Sequence, residues 1–324
     1  MDSSRASDTR REPGPLAWID GRLLPASAAV IPVGDAGFVL GTTVTEQLRT
    51  FRGVPFLPGP HAARFARSLA TAGIAPAFAI GEVFAAVDAV AAACHAALAC
   101  ADGGDRAGGG DLGIVVLATP GDLPAQHGGR AGAPRVVVHA FALAFRSWAD
   151  AYAEGVALRT VRTVQVPPDC WPADLKCRSR MHYHLADLEA RAAEAGARAL
   201  VCHADGRVSE TSTANVAVVR GGAILTPPPG DALPGVSLAH LRALAAAEGI
   251  AWQEASLGVA DVAGADEVLL TSTPSCLLPA TRLDGRSIGT GRPGPVFHRL
   301  LDAWSRGVGL DIAAQALAHR AREG

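Results

Sequence analysis

Between Cys170 and Ala195 the chain reads C-W-P-A-D-L-K-C-R-S-R-M-H-Y-H-L-A-D-L-E-A-R-A-A-E-A, a stretch whose one lysine, Lys176, stands among arginines. Pro167, Pro168 and Pro172 precede it, and because proline lacks an N–H and biases its predecessor to extended geometry, they exclude a helix there. Beyond it Met181, Leu185, Leu188 and Ala192 recur at helical spacing. Lys176 is therefore expected at the mouth of a helix, where the positive dipole end and the arginines oppose a second positive charge. Those neighbours favour the neutral amine, which is the nucleophilic form. The same residues also describe an ordinary surface lysine beside a helix start, so its meaning depends on what else the chain brings to it.

Three other stretches bear on that. L-P-G-V-S sets Gly235, Val236 and Ser237 at a helix N-terminus, where free N–H groups and the dipole bind a phosphate. T-S-T, Thr271 to Thr273, offers hydroxyls at a strand end, and Glu210 lies in S-E-T-S-T-A-N among short side chains that leave room for a planar ligand. A phosphate site, a nucleophilic lysine and a carboxylate together are what pyridoxal phosphate requires. Singly each is weak: Gly-x-Ser at a helix start is common, and an isolated strand glutamate is usually solvated.

The elements that must position these residues can be read in order. Leu16 to Val30 predicts a hairpin about Asp20-Gly21, and Thr43 to Phe56 a second about Arg52-Gly53, stopped by Pro58-Gly59-Pro60. From His61 a helix is predicted on Ala62, Phe65, Ala66 and Leu69, closed by Gly73, with Arg64 and Arg67 on a solvated face. A helix from Glu82 to Cys100, a flexible loop Asp102 to Asp111, and strands at Ile114 to Ala118 and Val136 to Phe145 complete the first half. The second half predicts a strand Val156 to Val166, strands around the Asp205-Gly206 and Gly221-Gly222 turns, a helix Ser237 to Glu248, a strand Ala265 to Ser272 and a last helix near Gly294.

The chain has 324 residues, 49% hydrophobic and 19% charged, with 29 basic against 31 acidic side chains. Near-cancelling charge without a basic stripe argues against nucleic acid and an anionic membrane, and for small-molecule partners. The six cysteines form no C-x-x-C pair, which reads as free thiols in a reducing cytoplasm rather than a structural metal site. The expected domains are a disordered leader at 1–15, a small α+β domain at 16–145, a linker at 146–156 and a larger cofactor-binding domain at 157–324. No run has the length and purity expected of a membrane span; Val83 to Cys100 carries Asp88 and His95.

W-I-D-G, T-E-Q-L-R-T-F-R-G-V-P-F, H-A-A-R-F, D-L-K, D-G-R-V-S-E-T-S-T-A-N, T-P-P, L-P-G-V-S, A-D-E-V-L-L-T-S-T and L-D-G-R-S-I-G follow one another from about Trp18 to Ile288. In content and order they resemble the fold-type IV, or class IV, pyridoxal-phosphate aminotransferases, a group that includes branched-chain and D-amino-acid aminotransferases and aminodeoxychorismate lyase. The resemblance implies a two-domain α+β fold with a small N-terminal α/β domain and a larger, β-rich C-terminal domain with helices, assembled as a homodimer with active sites near the interface. It implies Lys176 as the Schiff-base lysine and proton carrier, Glu210 on the pyridine nitrogen, and Arg64 on the phosphate. Val236, Ser237 and Thr273 would complete the phosphate cup, with Leu233 against the ring and Asn215 behind it. Glu46 and Arg49 also match landmarks and read as a structural pair.

The departures from the pattern concern the substrate. Thr45 stands where an aromatic usually lines the pocket, and Met181 where branched-chain enzymes place a tyrosine. The strand I-V-V-L-A-T-P-G lacks the usual T-R-G arginine, for which His127 or Arg130 could substitute from the next loop. Arg178, Arg180, His182 and His184 form a cluster that either binds an anionic substrate, contacts a dimer partner or is solvated; the histidines have no third ligand at metal spacing. Three functions follow: a transaminase acting between an amino acid or amine and a 2-oxo acid, a lyase that releases pyruvate by β-elimination, and a cofactor-free scaffold. Joint retention of Lys176, Glu210 and Arg64 speaks against the last.

Overall fold

The computed structural model describes residues 15–101 and 110–320, without the side chains of 98–101. The leader at 1–15, save Pro15, and most of the loop Asp102 to Asp111 lie outside the described residues.

Both predicted hairpins form. β1 (Leu16–Ile19) and β2 (Arg22–Pro25) turn at Asp20 and Gly21, with φ of 46° and 86°. Asp20 accepts this left-handed conformation while its Oδ1 takes a hydrogen bond from Val136 N at 2.8 Å. A short helix α1 (Ala36–Val39) leads to β3 (Val44–Phe51), which turns at Arg52 and Gly53 into β4 (Val54–Pro55). With β5 (Leu112–Thr119) and β6 (Arg135–Ala142) these make an antiparallel sheet ordered β2-β1-β6-β5-β3-β4.

Two helices, α2 (Pro58–Ala72) and α3 (Ile80–Ala101), pack on this sheet around Leu48, Phe65, Val83, Val87, Ile114 and Val138. The hairpin ends ahead of Pro58-Gly59-Pro60 as expected, but the helix starts at Pro58 rather than His61, because in a first turn no intrahelical N–H is required and proline's φ is already helical. The segment Ile80–Ala97 of α3 is, by length and hydropathy, long and apolar enough to cross a membrane. Its Val83, Val87, Val90, Ala91 and Cys94 are buried in the protein core, the alternative use of such a helix.

The remaining chain builds a larger sheet. Helix α4 (Ala151–Glu154) precedes β7 (Val156–Thr160), and α5 (Met181–Ala193) leads to β8 (Arg198–Cys202), β9 (Val208–Thr211), β10 (Asn215–Arg220) and β11 (Ala223–Thr226). Then come α6 (Val236–Ala247), β12 (Trp252–Glu254), α7 (Val259–Ala263), β13 (Glu267–Ser272), β14 (Cys276–Leu283), β15 (Arg286–Ser287), α8 (Pro295–Val308) and α9 (Ile312–Arg320). The path β10-β13-β14-β7-β8-β9 returns to β10 through the pair Glu210–Asn215, closing a barrel. Residues 146–156, the expected linker, are packed: Ala149 and Tyr152 are buried in the larger core, and Tyr152 Oη donates to Ser275 O at 2.8 Å.

Two local expectations fail for identifiable reasons. β7 stops at Thr160 rather than Val166, where Asp284 accepts from both the N–H and the hydroxyl of Thr160 at 2.9 Å. The larger apolar residues of α5 do not face the core: Ala186 and Ala190 do, because α5 lies close on β8, while Met181, Leu185 and Leu188 are 68%, 48% and 48% exposed.

Candidate active site

Lys176 lies in the long crossover between the parallel strands β7 and β8, a connection that must travel across the sheet's end. The loop is stitched to the N-terminal half. Lys176 N donates to Ser68 Oγ at 3.2 Å, Thr45 N donates to Lys176 O at 2.9 Å, Arg178 N donates to Thr43 Oγ1 at 2.9 Å, and Ser179 Oγ donates to Gly41 O at 2.7 Å. With its backbone fixed, the lysine side chain lines a cavity together with Arg64, Tyr183, Glu210, Asn215, Leu233 and the start of α6. Lys176 precedes α5 by five residues, outside the first turn, so the helix dipole contributes little. Burial is the main cause that lowers its pKa to about 8, with the Arg64, Arg180 and Arg178 charges adding and Glu46 opposing.

Glu210 lies near the end of β9 and is cross-strand partner of Asn215 where the barrel closes. Its Oε1 accepts from Tyr183 Oη at 2.7 Å and Leu233 N at 3.3 Å, and its Oε2 accepts from Asn215 Nδ2 at 3.2 Å. Burial pushes its carboxyl pKa up, while the Tyr183 hydroxyl, Leu233 N–H, Lys176 and Arg180 pull it back. Asn215 Nδ2 also donates to Leu233 O at 2.8 Å, fixing the segment that leads into α6. That segment passes so close that a Cβ on Gly235 would lie 2.0 Å from Asn215 Oδ1. Gly235 is the N-cap of α6 and offers no side-chain cap, so the first N–H groups of the helix, at Val236 and Ser237, are left for a ligand. Thr271, Ser272 and Thr273 line the same cavity.

Arg64 is buried rather than solvated. Its Nε donates to Glu46 Oε1 at 2.7 Å, Nη2 to Glu46 Oε2 at 2.8 Å and Nη1 to Pro234 O at 2.8 Å, and His61 Nδ1 lies 2.7 Å from Glu46 Oε2. Glu46 and Arg49 are therefore not a pair: three residues apart on β3, they project from opposite faces of the strand. Arg49 donates instead to Pro274 O at 2.9 Å, Cys276 Sγ at 3.2 Å and Gln315 Oε1 at 3.0 Å, behind the Thr271–Thr273 turn.

The structure thus brings Lys176, Arg64, Glu210, Leu233, Val236, Ser237, Thr273 and Asn215 to one cavity. Of the substrate candidates, Arg180 and His182 line it. Thr45 is buried with its hydroxyl donating to Val116 O at 3.0 Å, and Gln47, two residues on, lines the cavity instead. Met181, Arg178 and His184 are exposed, Arg178 bearing electrostatically on His139, and His127 packs by Gly34 with Nε2 3.7 Å from Asp122. Tyr183, Gln165 and Trp171 line the cavity and escaped the sequence reading. The sequence signal for Tyr183 is its rarity: it is one of two tyrosines in the chain and stands two residues beyond Met181, where branched-chain enzymes place a tyrosine. Among the described residues no group of three or more His, Cys, Asp or Glu is placed to hold a metal.

The donor set fits a ligand that combines phosphate, a protonated ring nitrogen and a carbonyl carbon. Uncapped helix N–H groups beside a guanidinium suit a phosphate. A buried carboxylate suits the nitrogen, and a depressed lysine suits the carbon.

A sequence model of the family described as amino-transferase class IV matches residues 43–283. A D-alanine aminotransferase of Bacillus licheniformis is 27% identical over 287 residues, covering 88% of this chain and 94% of that protein. Among solved structures, a T.th. branched-chain amino acid aminotransferase complexed with N-(5'-phosphopyridoxyl)-L-glutamate superposes with a TM-score of 0.76 at 27% identity, covering 91% of this chain and 94% of that one. An Escherichia coli branched-chain amino acid aminotransferase superposes at 0.78 with 23% identity over 92% and 94%, a likeness of fold.

Proposed function

We propose that this chain, which belongs to the class IV aminotransferases, transfers an amino group between an amino acid and a 2-oxo acid with pyridoxal phosphate bound in the cavity at Lys176. The observation that carries this is the convergence of Lys176, Glu210 and the uncapped N-terminus of α6 on one cavity, from three distant stretches of chain.

When bound, the cofactor supplies a cationic ring that accepts the electron pair released as the substrate Cα–H bond breaks. The chain's residues do the rest. Lys176 Nζ would hold the cofactor's carbonyl carbon and, as a free amine, would serve as the base that carries the proton removed from the substrate Cα. Already in the cofactor-free chain, burial lowers its pKa to about 8, which favours the neutral amine that can act as a base. Glu210 holds the ring nitrogen protonated, and Tyr183, Asn215 and Leu233 N hold Glu210. Arg64, the α6 N–H groups of Val236 and Ser237, and Thr273 bind the phosphate. Leu233 bounds the ring site.

The same reading extends to a homodimer in a reducing cytoplasm. Supporting it are the exposed apolar side chains Met181, Leu185 and Leu188 on α5, with Phe38 and Leu40 72% and 62% exposed, and the five described cysteines, all free.

An absorbance spectrum of the purified, reconstituted protein tests the chemistry. A visible cofactor band that bleaches with a D- or L-amino acid and returns with a 2-oxo acid is expected, and the responding amino acids give hand and class. Pyruvate release with no 2-oxo acid requirement would replace transamination with elimination, and a protein without a band would refute the reading. Sedimentation at micromolar concentration tests the dimer.

A further inference from the structure

Arg180 and His182 flank the first turn of α5 and face the cavity that holds Lys176. Arg180 donates through Nη2 to Ser212 O, and its guanidinium lies 4.7 Å from the centre of the Tyr183 ring. No carboxylate pairs with it among the described residues, in contrast to Arg64, whose charge is matched by Glu46. His182 lies against the same tyrosine, its ring centre 3.9 Å from that of Tyr183, and its Nε2 is buried without a hydrogen-bond partner. An orphaned buried polar atom is destabilising unless a ligand satisfies it.

The charges lining the cavity are Arg64, Lys176 and Arg180 against Glu210. Arg64 faces the α6 end through Pro234 O, and Glu210 is engaged by Tyr183, Asn215 and Leu233. One guanidinium with most of its N–H groups uncommitted, and one imidazole nitrogen beside it, are left over. Tyr183 is what orients both: its ring supports Arg180 and His182, while its hydroxyl is tied to Glu210.

We propose that Arg180, assisted by His182 Nε2, is the seat of the substrate carboxylate, so that the enzyme selects amino and 2-oxo acids over amines that lack one. The proposal rests on the transaminase reading and specifies its substrate side. A carboxylate on Cα must lie near the lysine that handles the Cα proton, and Arg180 is close enough for its charge to act on both Lys176 and Glu210. The guanidinium fork matches a carboxylate in a way a lysine ammonium does not. Arg178 and His184, exposed, take no part.

The test uses holoenzyme and two unreactive carboxylates, propionate and 4-methylvalerate, whose binding is followed by perturbation of the cofactor band. Arg180→Met should raise both dissociation constants about 10- to 100-fold, Arg180→Lys by less, and His182→Phe, which keeps a ring against Tyr183, by about 3- to 10-fold. KM for the amino acid should rise more than kcat falls, while the resting band and cofactor retention stay as in the parent. Unchanged dissociation constants would overturn the proposal. A shifted resting band or lost cofactor in Arg180→Lys would also overturn it, by assigning Arg180 to the cofactor. Absence of any band in the parent protein is a different result: it removes the transaminase reading itself, and the proposal with it.

Discussion

Glu46 grips Arg64 with both carboxylate oxygens, accepting from Nε at 2.7 Å and from Nη2 at 2.8 Å, in a site where both side chains are buried. Burial alone would raise the Glu46 pKa; the hydrogen bonds from Arg64 and His61 outweigh it and hold the carboxyl at about 2. The carboxylate therefore stays charged, and the arginine is oriented before any phosphate arrives.

Replacing Glu46 by Gln leaves Arg64 buried without its counter-charge. A displacement from 4.5 to about 2 corresponds to about 3 kcal/mol of stability at neutral pH. A depressed carboxyl contributes above its unfolded pKa and loses the contribution as pH falls toward the folded value. The stability gap between parent and Glu46→Gln, measured by urea unfolding, should thus be full at pH 7 and shrink between about pH 4.5 and 2. Cofactor affinity should fall about tenfold in the same variant; equal stability at pH 7 would remove Glu46 from this role.

Lys176 is the only lysine in the chain. Borohydride reduction of the holoenzyme should therefore mark a single side-chain amine, on the peptide containing Leu175 and Cys177. Lys176→Ala should lower turnover by at least about 10³-fold while phosphate-anchored cofactor binding persists. Label found on any other residue would disprove the assignment.

With its folded-state pKa lowered to about 8, Lys176 in the cofactor-free protein is mainly protonated at pH 7 and neutral above pH 8. Its arylation by trinitrobenzenesulfonate should rise with a midpoint near pH 8. The unfolded chain, with an ordinary lysine at about 10.4, binds more protons between the two values, so the stability of the apoprotein should increase with pH across that window. Lys176→Met should be the more stable apoprotein at pH 7, and a less stable variant would count against a buried charge penalty.

Glu210→Gln should keep the cofactor and lower kcat by about 10²-fold, since a neutral amide stabilises a protonated ring nitrogen poorly. Tyr183→Phe removes one hydrogen bond from Glu210, worth about 1 kcal/mol, and should cost about 5- to 10-fold. Stopped-flow rates of band bleaching separate the two, and a Tyr183→Phe rate equal to the parent's would show the hydroxyl to be dispensable.

Arg49→Met strands Pro274 O, Cys276 Sγ and Gln315 behind the Thr271–Thr273 turn. A loss of about 3 kcal/mol in unfolding free energy is expected, together with weaker cofactor retention. Stability within about 0.5 kcal/mol of the parent, a surface-like response, would contradict the burial argument.

Sequence alone determined what is local. The hairpins at Asp20-Gly21 and Arg52-Gly53, the helix after L-P-G and the ordered motifs around Lys176 and Glu210 follow from turn chemistry, periodicity and short-range order, which act over a few residues. Tertiary structure decided what needs two distant segments. The three-residue spacing on β3 excludes a Glu46–Arg49 pair once that stretch is a strand, but no spacing names Arg64 as the partner of Glu46, because only the docking of α2 brings them together. No helical pattern shows that α5 buries Ala186 and Ala190 and leaves its leucines outside, because contact with β8 selects small side chains. Nor can it show that Tyr183 reaches Glu210, since that bond exists only once the barrel closes at Glu210–Asn215 and brings α5 against it.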